Sequence, residues 1–174
     1  RRRLGLDPGA PVGLVLFGGQ GSKAMLDIAR RVDGQLIALC GRNEKLAVRL
    51  RAMRRKRPMH VEGFTREVPY FMALADYFIG KPGPGSLSEA LAMKLPVIVE
   101  RNSWTLPQER YNTDWIVENG FGLVLKSFRD IGAAVDQLLD PVQYTRFRSA
   151  AAAYDNRAVF EIPDILEKIL DASS

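Results

Sequence analysis

Three short segments of this chain carry residue types suited to holding a nucleotide. Gly18-Gly19-Gln20-Gly21-Ser22 follows an aliphatic run and precedes a helical pattern. From Gly19 it reads G-x-G-x-x-A, a spacing that brings bare backbone amides to an anion at a helix start. The dinucleotide form of that fingerprint wants an acid about 20 residues on. Here that place reads Cys40-Gly41-Arg42-Asn43. Arg42 would suit the 2′-phosphate of NADP, so hydride transfer stays open. The second segment, Lys81-Pro82-Gly83-Pro84-Gly85-Ser86-Leu87-Ser88-Glu89-Ala90, sets two glycines before a helix. Amides and dipole there suit a diphosphate, with Ser86 adding a hydroxyl donor. Glu89 has two readings: partner of Ser86 in a capping box, or acceptor for ribose hydroxyls one turn above the phosphates. In the third segment Gln108, Glu109 and Asn112 open a helix. They offer donors and acceptors for sugar hydroxyls, or the ordinary polarity of a helix start.

The elements around these turns alternate. Apolar runs at Val12 to Phe17, Leu36 to Cys40, Met59 to Glu62, Tyr77 to Gly80, Pro96 to Glu100 and Phe121 to Leu125 predict six strands. Helical patterns separate them, with Asn43 as an N-cap and Gly120 at a C-cap. From Phe128 on the pattern is helical, with Pro141 and Pro163 at boundaries. Strands and helices in alternation predict an α/β fold: a Rossmann-like, doubly wound, six-stranded parallel sheet with helices on both faces. Ligands of such sheets sit beyond the carboxyl ends of the strands, where the glycine-rich turns fall.

The chain has 174 residues, 47% of them hydrophobic, which is too apolar for a disordered coil and ample for one core. The single cysteine, Cys40, excludes a disulfide scaffold and suits a reducing compartment. No run approaches the ~20 apolar residues of a membrane span. Positive charge is local: Arg42 to Arg57 carries +7, and the other 158 residues −2. With Leu46, Leu50 and Met53 facing inward, that stretch reads as a basic helix. It is either a solvated face or one drawn to an anionic membrane surface. No aromatic platform accompanies it, so nucleic acid is not an expected partner. No His, Cys or Asp cluster has metal-ligand spacing. His60, the one histidine, reads as structural, and Asp76 as a residue that caps or orients the fourth strand.

As a set and in this order, the motifs resemble the C-terminal, donor-binding domain of a GT-B glycosyltransferase of family 28, of the monogalactosyldiacylglycerol synthase type. The residues that carry the likeness are Gly18-Gly19-x-Gly21, Cys40-Gly41-Arg42-Asn43, Val61-x-Gly63-Phe64, Ala75-Asp76, the Lys81 to Ala90 string, Leu95-Pro96-Val97-Ile98, Gln108-Glu109-x-x-Asn112 and Val117-Glu118-Asn119-Gly120. They run from about Val12 to Leu139. The resemblance implies that Gly63, Phe64 and Thr65 frame uracil, and that Gly83, Gly85 and Ser86 hold the diphosphate. Glu89 would bind ribose, Gln108 and Glu109 would read the donor sugar, and Asn112 would support that loop. Gly18, Gly19 and Gly21 would line the interdomain cleft, with Arg42 in the same binding set. Pro82, Pro107 and Arg110 depart from the family pattern and leave the sugar open.

The resemblance further implies hexosyl transfer from UDP-galactose or UDP-glucose to a diacylglycerol-type lipid, inverting, with no metal or cofactor. The base and the lipid site would belong to an N-terminal domain. The start Arg1-Arg2-Arg3, with no initiator Met and no signal core, reads as a cut from a longer protein. Residues 1–11 would then be a linker remnant ahead of a single domain, ending in C-terminal helices over 128–174. The whole protein is expected in the cytoplasm, peripheral to a membrane, with this piece inactive alone. A donor-binding subunit of a two-protein UDP-N-acetylglucosamine transferase and a non-catalytic nucleotide-binding domain are the other readings.

Overall fold

Strands buried on both faces are near-continuously apolar, and β1 (Val12–Leu16) and β2 (Gln35–Leu39) are buried at every position, with Gln35 the one polar residue of the two. With β3 (Met59–Glu62), β4 (Tyr77–Gly80), β5 (Val97–Glu100) and β6 (Gly122–Leu125) they form one sheet in the order β3-β2-β1-β4-β5-β6. Every pairing is parallel. The computed structural model describes residues 1–103, 105–156 and 158–171. Position 157 and positions 172–174 of the expected C-terminal helical stretch lie outside the described residues.

Each strand leads into a helix: α1 (Ala24–Arg31), α2 (Glu44–Arg51), α3 (Val68–Ala73), α4 (Pro84–Ala92), α5 (Pro107–Glu118) and α6 (Ile131–Leu139). α7 (Pro141–Ala153) and α8 (Ala158–Asp171) follow. Alternate strand residues point to opposite layers. Val15, Leu36, Ala38 and Ile79 pack with α1, α2 and α6, whereas Leu14, Ile37, Phe78 and Val99 pack with α3, α4 and α5. The order reverses between β1 and β4, so the crevice of this doubly wound sheet opens at their carboxyl ends.

Three local expectations are corrected. α2 stops at Arg51, so the stretch from Arg42 to Arg57 is a helix followed by a loop, not one basic helix. Leu46 and Leu50 are buried, and Met53 packs on the core from the loop. The capping box at Ser86 does not form, because α4 begins two residues earlier with Gly83 as N-cap and Pro84 at its first position. Pro163 lies inside α8, where it removes one intrahelical donor without ending the helix. Asp76 binds the start of β1: its Oδ2 accepts from the Val12 N–H at 2.8 Å and pairs with Arg1 at 2.9 Å. Residues 1–11 pack on the domain, with Leu6 buried and Gln35 bonded to the backbone of Asp7 and Ala10. His60 is stacked on Phe71 and bonded to Glu62 at 3.3 Å.

Cys40 is fully buried at the end of β2, and burial pushes its thiol up to about 11 from 9.0. Burial likewise pushes the phenol of Tyr77 up. Both groups are favoured neutral in the folded state. Their contribution is therefore complete below the unfolded-state values and is lost as pH rises through the folded ones. Unfolding free energy will fall as pH is raised from 9 toward 11. At pH 8 a thiol reagent will label Cys40 only in denaturant, and fast labelling of the native protein would contradict this burial.

Candidate functional site

The turns after β1 and β2 are built against each other. Gly41 has φ +58°, and a Cβ there would run into the backbone of Gly19, whose Cα lies 2.9 Å away. The Arg42 N–H donates to the Gly19 carbonyl at 2.8 Å. Asn43 Nδ2 donates to the Gln20 carbonyl at 3.1 Å, while its Oδ1 caps α2 through the Leu46 N–H at 3.0 Å. Gly21, at φ +60°, lets Leu46 and the Cys40 carbonyl approach. Much of the glycine and Cys-Gly-Arg-Asn signal thus fixes the turn itself.

A cavity of about 380 Å³ lies at the sheet's reversal point, lined by Phe17, Gly21 and Ser22 from the β1 turn and by Lys81, Pro82 and Glu109 across from it. Glu109 is buried at the start of α5, and its Oε1 accepts from Lys81 Nζ at 3.1 Å. Asn112 Nδ2 donates to the Pro82 carbonyl at 2.8 Å, so α5 holds the β4 turn. Gln108 is exposed beside them.

On α4, Gly85 and Glu89 are exposed and Ser86 is half-buried. Among the described residues the Glu89 carboxylate has no hydrogen-bond or ion-pair partner, and it is exposed where a ligand could reach it. Gly85 is the informative position. It sits in the first turn of a helix, an element in whose interior glycine costs roughly 0.5–1 kcal/mol against alanine. Its φ is not positive, and a Cβ there would meet nothing within 4 Å. The fold itself gives no reason for a glycine at that place.

A second group lies further along the same edge, beyond β2 and β3. The Arg42 guanidinium stands 5.0 Å over the ring of Phe64, which is exposed. The Gly63 N–H is taken up by Glu62 Oε1 at 3.1 Å, and Thr65 Oγ1 accepts from the Glu67 N–H at 2.9 Å. Of the expected site residues the structure places Gly21 and Glu109 in the lining of that cavity, with Gly83 beside the Lys81–Glu109 pair and Asn112 bonded to the Pro82 carbonyl, whereas Gly19 packs against the Gly41–Arg42 turn. Ser86, Gly85 and Glu89 stand on the adjoining helix, and Arg42, Gly63, Phe64 and Thr65 form a separate cluster. Lys81 is the residue that sequence reasoning missed. Its partner is 28 positions away, and no spacing rule links a strand end to a helix start across a neighbouring strand. Among the described residues no three His, Cys, Asp or Glu side chains are grouped to hold a metal, and no helix is long and apolar enough to cross a membrane.

No family model matches the chain. Its sequence is similar to monogalactosyldiacylglycerol synthase, chloroplastic, of Spinacia oleracea, with 35% identity over 153 residues, 81% of this chain and 29% of that protein. Monogalactosyldiacylglycerol synthase 1, chloroplastic, of Arabidopsis thaliana is 34% identical over 153 residues, covering 81% of this chain and 28% of its own length. The chain thus spans under a third of the length of these relatives. Among solved structures, Os79 from O. sativa in complex with UDP superposes with a TM-score of 0.67 at 16% identity, over 84% of this chain and 35% of that one. The calicheamicin glycosyltransferase CalG4 does so with a TM-score of 0.66 at 19% identity, over 94% and 45%. The chain is a homologue of the monogalactosyldiacylglycerol synthases over a segment of their length, and its sheet is the Rossmann-like sheet of the GT-B glycosyltransferases.

Proposed function

We propose that this domain binds the UDP part of a UDP-hexose across the carboxyl ends of β1 and β4, as the donor half of a lipid glycosyltransferase. The observation that carries the reading is Gly85, a helical glycine that neither backbone conformation nor crowding demands. A diphosphate drawn against the first amides of α4 explains it, because only a glycine there lets the anion reach the backbone. Glu89, exposed and one turn further on, accepts from the ribose hydroxyls. Glu109 and Gln108 face the sugar from α5, and the Phe64 ring with the backbone of Gly63 and Thr65 flanks the base.

In the whole protein the hexose, galactose or glucose, passes to the hydroxyl of a diacylglycerol-type acceptor with inversion. A base outside this domain takes the acceptor proton as the bond to UDP breaks. The α4 dipole and amides stabilise the departing diphosphate without a metal ion. The basic residues along α2 and the loop after it suit the headgroups of an anionic membrane from which such a lipid would be drawn.

Calorimetric titration of the domain with UDP, UDP-galactose, UDP-glucose, UDP-N-acetylglucosamine and NADPH tests the reading, with EDTA present in one series. UDP species will bind equally with and without EDTA, NADPH will not bind, and the domain alone will transfer no sugar to diacylglycerol. Glu89→Ala will weaken UDP about tenfold or more, the scale of a hydrogen bond to a charged group, without moving the melting temperature. An unchanged UDP affinity in that variant rejects the ribose assignment, and binding of NADPH in place of UDP rejects the donor-site reading.

A further inference from the structure

The pair Lys81–Glu109 joins the turn that would take the phosphates to the helix that would take the sugar. Its two members are unequally placed: the Glu109 side chain is 9% exposed and that of Lys81 47%. Among the described residues Lys81 is the one side chain bonded to the Glu109 carboxylate. The pair closes directly over Gly83, the N-cap of α4. A Cβ on Gly83 would lie 3.2 Å from Lys81 Cε, 3.7 Å from its Nζ and 3.5 Å from Glu109 Oε1. The ammonium is therefore beside the positive end of the α4 dipole. A compact cation on a flexible stem, placed there, pairs with Glu109 in the free domain and gains a stronger partner once a diphosphate arrives.

We propose that Lys81 is a positioning residue that couples the two halves of the donor site. In the free domain its ammonium holds the buried Glu109 carboxylate. When the β-phosphate seats on the α4 turn, the ammonium moves to it, and Glu109 is released to accept hydrogen bonds from the hydroxyls of the sugar. The bond from Asn112 to the Pro82 carbonyl keeps α5 tied to the turn while the ion pair opens. Sugar recognition is thereby conditional on the phosphate that carries the sugar, which discriminates against free hexoses. This coupling rests on the donor-site reading above.

Titrations with uridine monophosphate, UDP and UDP-hexose separate the two ideas. Lys81→Met will leave uridine monophosphate binding within about twofold, weaken UDP about tenfold and erase the increment that the hexose adds. Lys81→Arg will recover part of the UDP affinity. Glu109→Gln will bind UDP as tightly as the parent chain or several-fold more tightly, because the ammonium is no longer shared, yet will lose the increment from the hexose. A structural brace predicts otherwise: both variants would lose UDP and uridine monophosphate affinity in parallel, together with melting temperature. If Lys81→Met binds UDP like the parent chain, the coupling is wrong and the donor site stands. If the parent chain binds no uridine nucleotide, the donor site is wrong and the coupling falls with it. Should Lys81→Met fail to fold, Lys81→Arg and Glu109→Gln decide the matter, since only the coupling predicts undiminished UDP affinity in Glu109→Gln.

Discussion

Gly41→Ala will destabilise the domain by about 3 kcal/mol or more and will remove nucleotide binding with it. The position stands at φ +58°, which costs an L-residue roughly 1–2 kcal/mol before any contact is considered. The added methyl would then strike backbone, not a side chain that can turn aside: the carbonyl and Cα of Gly19. Separating the turns breaks the bond from the Arg42 N–H to the Gly19 carbonyl and strains that from Asn43 to Gln20, at about 1 kcal/mol each. Gly18→Ala makes the control. It shares a positive φ of 73° but faces open space, so it bears only the conformational cost. Urea denaturation of the two variants reads the difference directly. Equal midpoints would mean that the two turns do not lean on each other as described.

That coupling of turns shows how far the sequence was legible. The strands were visible because a sheet covered on both faces needs unbroken apolar runs, and Val12 to Leu16 and Leu36 to Leu39 supply them. Phosphate-type turns were visible because several glycines gathered between a strand and a helix leave bare backbone amides at the helix start. What the glycines do was less visible. Gly21 and Gly41 are demanded by neighbouring chain, Gly85 is not, and that distinction exists only once the turns are packed together. The helix start at 83–84 was misread for a related reason. Ser86-x-x-Glu89 matches a capping box in spacing, but Pro84 fixes a helical φ earlier and takes the first position. Glu89 is thereby released from a capping role and stands exposed on α4. Lys81 and Glu109 meet because β4 and β5 are neighbours, a fact of strand order that no local pattern contains.

Arg55→Ala will cost about 2–3 kcal/mol, whereas Arg54→Ala and Lys56→Ala on either side will stay within about 0.5 kcal/mol of the parent chain. By sequence the three are equal members of one basic run. In the fold Arg55 turns inward, and burial draws its guanidinium below the usual arginine range. Its Nε donates to the Ala29 carbonyl at 2.6 Å and its Nη2 to those of Val32 and Gly34 at 2.7 and 2.8 Å. Nη1 reaches the carbonyls of Arg57 and Pro58 at 3.3 Å. These acceptors are the last turn of α1, the link into β2 and the approach to β3, so one planar cation satisfies helix-end carbonyls at the negative end of the α1 dipole. Lysine cannot span that fan of acceptors, and Arg55→Lys will recover little of the loss. Denaturation midpoints that rank Arg55→Ala with Arg54→Ala would return the residue to the surface and restore a single basic face. If Arg55→Ala alone falls, the charge open to an anionic surface is carried by its neighbours, and the middle residue of the three is the one least able to meet a lipid.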